Sequence, residues 1–258
     1  MENIYQHFRK DERHFIDQVL EWKETVEHHY SPKLTDFLDP REQEIVSSVI
    51  GEHLDVKVAF FGGAEDTERK RAFLYPDYYQ VEQEDFKLTL FEVQYASKFI
   101  QLQHRHVLGS MMGLGLKRAK FGDIRFHGDV VQFICAGEIS DYLKVNFHEI
   151  GKAKIHLKER SLTEFIVSNE EKQELVTTVA SMRLDVIGSA IYNISRQKIQ
   201  PLIENGLVKV NWKPVEETSF ECREGDTLSI RGFGRSQITS VEGKTKKDRY
   251  KIIISKYK

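Results

Sequence analysis

The sequence predicts an α+β protein of three small domains: an N-terminal α+β domain at 1–77, a central domain at 78–178, and a C-terminal domain of two helices and a small sheet at 179–258. Three observations predict it. The 258 residues leave room for two or three domains of roughly 100 to 200 residues each. Apolar spacing changes period in a definite order, strand-helix-strand-strand-helix-strand across the middle and helix-helix-strands near the end. Charge is uneven: residues 1–80 hold 10 Lys/Arg against 17 Asp/Glu, 81–180 hold 13 against 14, and 181–258 hold 15 against 9, balances of −7, −1 and +6 within a net charge of −2.

In the first domain, Ile4, Phe8, Phe15, Val19, Trp22 and Val26 recur at mostly helical spacing among acidic residues, which predicts a surface helix or a pair of them. Asp39-Pro40-Arg41-Glu42 carries an N-cap, a proline at the first helical position and an acidic first turn, so a helix is expected over 42–50, ending at Gly51. Val56 to Phe61 reads as a strand closed by Gly62-Gly63. Those glycines are read as a turn rather than a phosphate loop, because Ala64-Glu65-Asp66 follows where a Gly-Lys-Ser/Thr would be needed.

The middle opens with alternation from Phe86 to Val93, a half-buried strand. His104 to Leu116 places Val107, Leu108, Met111 and Met112 on a helix, and Asp123 to Ile134 reads as a hairpin turning at Gly128-Asp129. A short helix over 138–147 and a strand over 153–157 complete the ferredoxin-like order, which RNA-recognition domains share. Arg105, Lys117, Arg118 and Lys120 form a basic strip read in two ways, as the polar side of a helix and its exit loop or as a secondary RNA contact. Residues 164–178 are expected to be a linker turning into an interdomain helix.

Leu184, Ile187, Ile191 and Ile194 recur at helical spacing, and Ser195 restarts the chain as the N-cap of a second helix closing at Gly206. Alternation follows over 207–212 and 227–230, and two further strands are expected around a basic turn near Lys246-Lys247, the last one closing the sheet and carrying Lys256 and Lys258 outward. A helix N-terminus offers free N–H groups and the positive end of the helix dipole, so Ser195 and Arg196 mark a phosphate site, with Arg183 facing the same groove. Lys198, Lys209, Lys213, Arg231 and Arg235 would extend the field. The plainer alternatives are a capping serine, a surface arginine and a solvated charged tail.

Arg183-Leu184-Asp185, Ser195-Arg196, Leu202-Ile203-x-x-Gly206-x-Val208-x-Val210-Asn211 and Gly225-Asp226 together resemble the RNA-binding domain named after ribosomal small-subunit protein four, here the S-four domain. The whole chain resembles the bacterial YlmH proteins, supported by His104-Arg105-x-x-Leu108-Gly109-Ser110 through Gly122-Asp123-Ile124. The resemblance adds Asn211 to the expected RNA contacts. Together with a resemblance to the small heat-shock-type S-four proteins, it implies rRNA and tRNA as ligands, the large ribosomal subunit as partner, and a role in quality control or rescue of subunits holding peptidyl-tRNA.

Chemistry is not expected. Pseudouridine synthases carry an aspartate in a Gly-Arg-Leu-Asp context and many carry an S-four domain, but Met182 stands before Arg183, and about 70 residues downstream are too few for a catalytic domain. Asp185 is expected to orient the helix pair or a nearby arginine. An RNA-modifying enzyme or its targeting subunit is the competing class, and an adaptor working through the acidic N-terminal domain is a third. No cofactor, metal or small-molecule substrate is expected, since the scattered histidines lack a ligand motif. With no run of about 18 apolar residues and no signal-peptide pattern after Met1, a cytoplasmic, membrane-free location is expected. Cys135 and Cys222, far apart in apolar runs, suit a reducing compartment without disulfides.

Overall fold

The computed structural model describes residues 4–51, 55–167 and 172–257. The chain divides into two compact units, Met1–Ser168 and Asn169–Lys258.

The first unit begins with α1 (Arg13–His29), β1 (Lys33–Leu38), α2 (Pro40–Ile50), β2 (Val56–Phe61) and β3 (Lys70–Pro76). The strands form an antiparallel sheet in the order β1-β3-β2, and Ile16, Val19, Val26, Ile45, Val46, Val49 and Ile50 from the helices bury against Val56 and Leu74. The start of α2 follows its residues. Asp39 accepts from the Glu42 N–H at 2.8 Å while the Glu42 carboxylate accepts from the Asp39 N–H at 2.8 Å, with Pro40 at the first helical position. β1 and β3 were not expected from the sequence. The alternation of β3 is broken by Arg71, a charge in a core position: it is 3% exposed, and its guanidinium donates to the Thr35 carbonyl and the Glu138 carboxylate.

The central elements are β4 (Leu88–Tyr95), α3 (His104–Gly113), β5 (Phe121–His127), β6 (Val130–Ala136), α4 (Ser140–Asn146), β7 (Glu149–Ile150) and β8 (Ala153–Arg160). Their antiparallel sheet runs β5-β6-β4-β8-β7. Counting the four long strands in chain order, that is 2-3-1-4, the ferredoxin-like arrangement the sequence predicted, with the two-residue β7 added at one edge. The hairpin turns at Gly128-Asp129, where Gly128 takes φ +56°. Phe91, Phe121, Phe133 and Phe147 meet between sheet and helices with Met111 and Leu143.

These two sets of elements share polar anchors. Asp123 accepts from the backbone N–H groups of Glu68 and Arg69 at 2.8 and 3.0 Å, and Arg71 pairs with Glu138 at 3.1 Å. Gly62-Gly63 lies between them and is a packing turn, as expected. A Cβ on Gly62 would collide with the Arg69 carbonyl, and one on Gly63, which has φ +101°, would collide with Ile134.

The second unit comprises β9 (Lys172–Val179), α5 (Leu184–Tyr192), α6 (Arg196–Glu204), β10 (Val208–Val210), β11 (Lys213–Pro214), β12 (Thr227–Ile230), β13 (Gly234–Lys244) and β14 (Tyr250–Tyr257). Its antiparallel sheet runs β11-β10-β12-β13-β14-β9. Two expectations are corrected. The helix expected before residue 178 is strand β9, which pairs with β14 from Lys172 to Val179. Consequently β14 does not close the sheet but lies inside it; Lys256 reaches back with its ammonium 5.5 Å from the Tyr192 ring, and Lys258 lies outside the described residues. Ile187, Ile191, Ile199 and Ile203 seal both helices onto Val208, Leu228, Ile252 and Ile254. Gly188 permits the close approach, since a Cβ there would strike Ile199.

Gly62→Ala forces a side chain against backbone and is expected to cost about 2 to 3 kcal/mol. Gly109→Ala, on an open face of α3 with nothing within 4 Å of the added carbon, should be neutral or stabilising by up to about 1 kcal/mol. Urea denaturation followed by circular dichroism separates the two.

Candidate nucleic-acid interface

The groove is built where α5 and α6 begin. Arg183 is the N-cap residue of α5, and the helix's leading N–H groups are already taken: Leu184 donates to the Phe220 carbonyl at 2.8 Å and Asp185 to that of Thr218 at 3.2 Å. α6 differs. Ser195 stands at its N-cap position as predicted and its carbonyl accepts from Lys198 and Ile199, but its hydroxyl caps nothing. Among the described residues the backbone N–H groups of Arg196 and Gln197 find no acceptor, and Ser195, Arg196, Gln197 and Lys198 are all exposed. This end of α6 therefore keeps unsatisfied donors and the positive end of its dipole facing solvent.

Asp185 governs the arginines beside it. Its side chain is fully buried, and it accepts from Nε of Arg183 at 3.2 Å, from Nε of Arg196 at 3.2 Å, from Nη2 of each, and from Gln200 at 3.3 Å. Burial alone would push the carboxyl up. The hydrogen bonds from Arg196, Arg183 and Gln200 outweigh it and hold the group below the ordinary carboxylate range. The arginine side chains remain 44% and 52% exposed, so each guanidinium keeps its Nη1 edge for another acceptor. Asp185 thus orients both arginines, as the sequence led us to expect. Gln200, missed in the sequence, was detectable there: it stands four residues after Arg196, hence on the same helical face.

The remaining candidates separate by face. Lys198 is exposed in the first turn of α6, two residues after Arg196 and so on a different face of the helix. Lys209 alternates with buried Val208 and Val210 and so faces away from the helices. Arg235 flanks buried Ser236 on that same outer side, its guanidinium 4.2 Å from the Tyr257 ring centre. Arg231 is exposed in the turn after β12, and Lys213 is exposed on β11. Asn211 must be removed from the contacts. It is 6% exposed with φ +49° in the turn between β10 and β11, its amide donates to Asp226 at 2.8 Å, and its carbonyl oxygen accepts from the Thr227 N–H at 2.9 Å. Its role is to hold a tight turn in a conformation that asparagine tolerates.

In the first unit the basic strip loses half its members. Arg118 turns inward to the Phe121 and Gly122 carbonyls, and burial, reinforced by the Arg69 charge, pushes it down to about 10. Lys120 is held by Asp36 at 2.6 Å and Glu138 at 3.0 Å. Both are structural anchors, whereas Arg105 and Lys117 are exposed.

Comparison with known sequences assigns each part of the chain to a family. Three family models match in order: "YlmH, N-terminal" over residues 11–79, "Putative RNA-binding domain in YlmH" over 81–164, and "S4 domain" over 182–228. A Bacillus subtilis protein named "Ribosome-associated protein quality control protein P2" is 50% identical over 258 residues, 100% of both chains. The chain belongs to the YlmH family. Among solved structures, "Cell division protein ylmH from Streptococcus pneumoniae" matches with a TM-score of 0.54 at 33% identity, covering 63% of this chain and 99% of that one. In this YlmH protein the S-four match takes in both helices, β10, β11 and the start of β12, and the sheet continues beyond it through β13, β14 and β9. No helix among the described residues is long and apolar enough to cross a membrane.

Asp185→Asn removes the charge that aligns the arginines and should cost about 2 kcal/mol at neutral pH, the range for hydrogen bonds to a charged group. The folded carboxyl titrates below its unfolded value, so its contribution is complete above the carboxylate range and is lost as the pH falls through the lowered value. The stability gap between wild type and Asp185→Asn is therefore expected to narrow between pH 7 and pH 3 in urea titrations.

Proposed function

We propose that this protein is a non-enzymatic, cytoplasmic RNA-binding protein that recognises structured rRNA and tRNA on the large ribosomal subunit, in quality control or rescue of stalled peptidyl-tRNA complexes. The observation that carries the reading is the exposed start of α6, where free backbone donors lie beside two half-exposed arginines aligned by one buried aspartate. Planar guanidinium edges fixed in orientation are suited to paired phosphate oxygens, and the +6 balance of residues 181–258 supplies the surrounding field. The match to an RNA-binding domain model at 81–164 and the name of the Bacillus relative support the ribosomal placement. In this reading the chain works as three domains, the last of which begins before β9 rather than at residue 179.

The competing reading makes Asp185 the nucleophile of a pseudouridine synthase. Its carboxylate is 0% exposed and already accepts from Arg183, Arg196 and Gln200, a geometry suited to positioning rather than attack.

Arg183→Ala with Arg196→Ala, made together with Asp185→Asn so that no buried charge is left unpaired, should keep a folded circular dichroism spectrum and cost about 1.5 to 3 kcal/mol of RNA affinity per contact. The slope of log affinity against log salt should flatten by about 1.8 for two phosphates on duplex RNA. Filter binding to ribosomal RNA and co-sedimentation with large subunits check both, and undiminished binding by the folded variant rejects the assignment. A C-terminal fragment offers a second test of the same reading, and it must start near residue 169, because a cut at the end of the expected central domain would strip β9 from the sheet. That fragment should retain most of the salt dependence.

A further inference from the structure

In RNA-recognition modules with this strand order, bases stack on aromatic residues of the central strands. Here that part of the face is closed. On the side of the sheet away from the helices, Leu90, Gln132, Ile134 and Arg125 are 1%, 4%, 0% and 7% exposed. The segment after β8 covers them: the Ile166 N–H donates to Gln132 at 2.9 Å, Arg125 donates to the Ile166 carbonyl at 2.6 Å, and its guanidinium lies 4.4 Å from the Phe165 ring centre.

What stays open is the margin at β8. Ala153, Ile155 and Leu157 point into the core, so Lys154, His156 and Lys158 line the opposite face, all exposed. Glu149 engages Lys154 at 2.8 Å, but that pair is 84% and 61% exposed, where a salt bridge holds weakly. Gln94 is paired across from His156 and is also exposed. Tyr95 pairs with Ile155, so β4 leaves the sheet at the end where β8 enters, and the loop that follows carries exposed Lys98 and Phe99. Phe99 is 88% exposed, the most exposed large apolar side chain described. A bare aromatic ring in the loop at the end of the sheet where the row of β8 cations begins has a simple use: every base has a π-face to stack, and every nucleotide brings a phosphate.

We propose that unpaired RNA docks along the β8 margin of the central module, its phosphates on Lys154 and Lys158 and a base stacked on Phe99. This surface is separate from the start of α6 and from the Arg105–Lys120 strip that the sequence suggested. It shares with the proposed function only the premise that the ligand is RNA.

The test uses the full chain and a 12-nucleotide uridine oligomer carrying 4-thiouridine. Lys154→Gln with Lys158→Gln should flatten the salt slope by about 1.4, two single-strand phosphates. Phe99→Ala should weaken binding about tenfold with the slope unchanged, and Phe99→Trp should restore it. Photocrosslinks are expected on the peptide containing Phe99. If the lysine variant keeps the wild-type slope while Arg183→Ala with Arg196→Ala loses binding, this surface is refuted and the α6 reading stands. The converse pattern upholds this surface and removes the other. A glutamate-rich peptide that binds in a Lys154- and Lys158-dependent way, with no RNA crosslink at Phe99, would assign the face to an acidic protein and overturn the proposal.

Discussion

A carboxylate shut away from water has to be met by donors of its own, and at Asp185 that requirement organises the C-terminal unit. Unpaired, it would cost several kcal/mol or become protonated. Arg183 from the start of α5, Arg196 from the start of α6 and Gln200 one turn later supply the donors. One buried charge therefore fixes the relation of the two helices and the direction of two guanidinium groups. The arginines spend one edge inward and keep the other for solvent, so the same contact serves packing and presentation. Gly188 against Ile199 lets the helices come close enough for it.

The same physics, applied elsewhere in the chain, removes cations from the surface. Arg71 and Arg125 are 3% and 7% exposed, Arg118 is drawn to carbonyls at the start of β5, and Lys120 bridges Asp36 and Glu138, tying the N-terminal elements to the central ones. A basic residue in a sequence announces a charge but not its partner. The balance of −1 for residues 81–180 hides this division: some cations neutralise Asp36, Glu138 and Asp66 inside the unit, while those on the open side of β8 and at the start of α3 are left for other ligands.

Legibility in the sequence followed the range of the interactions. Local signals were readable: the Asp39-Pro40 capping box, the Gly128-Asp129 hairpin, the helix pair around Ser195 and the βαββαβ order all rest on contacts a few residues apart. β9 was not readable, because as an edge strand it exposes both faces, with Leu175 and Val176 37% and 56% exposed, and so lacks alternation. Its identity comes from pairing with β14, some 75 residues on. β3 was hidden by Arg71, a long-range partner of Glu138. At the candidate site, Arg183, Ser195 and Arg196 were legible from the motif. That Asn211 is consumed by Asp226 and Thr227 was not, since only the fold brings those residues together.

The basic surplus of the C-terminal third is best understood by face rather than by sum. Arg183, Arg196 and Lys198 gather where the helices begin, while Lys209 and Arg235 stand on the outer side of the sheet, the latter stacked on Tyr257. A single duplex cannot satisfy opposite faces of one small sheet with equal contacts. The helix side has what precise docking needs, with oriented guanidinium groups and free backbone donors; the sheet side has the exposed Lys209 and an Arg235 already engaged with the Tyr257 ring. Oriented donors give register and unoriented ones add a field that salt screens. In the proposed reading, position on the RNA is decided at the start of α6, and the sheet's cations contribute to how strongly the chain is drawn there.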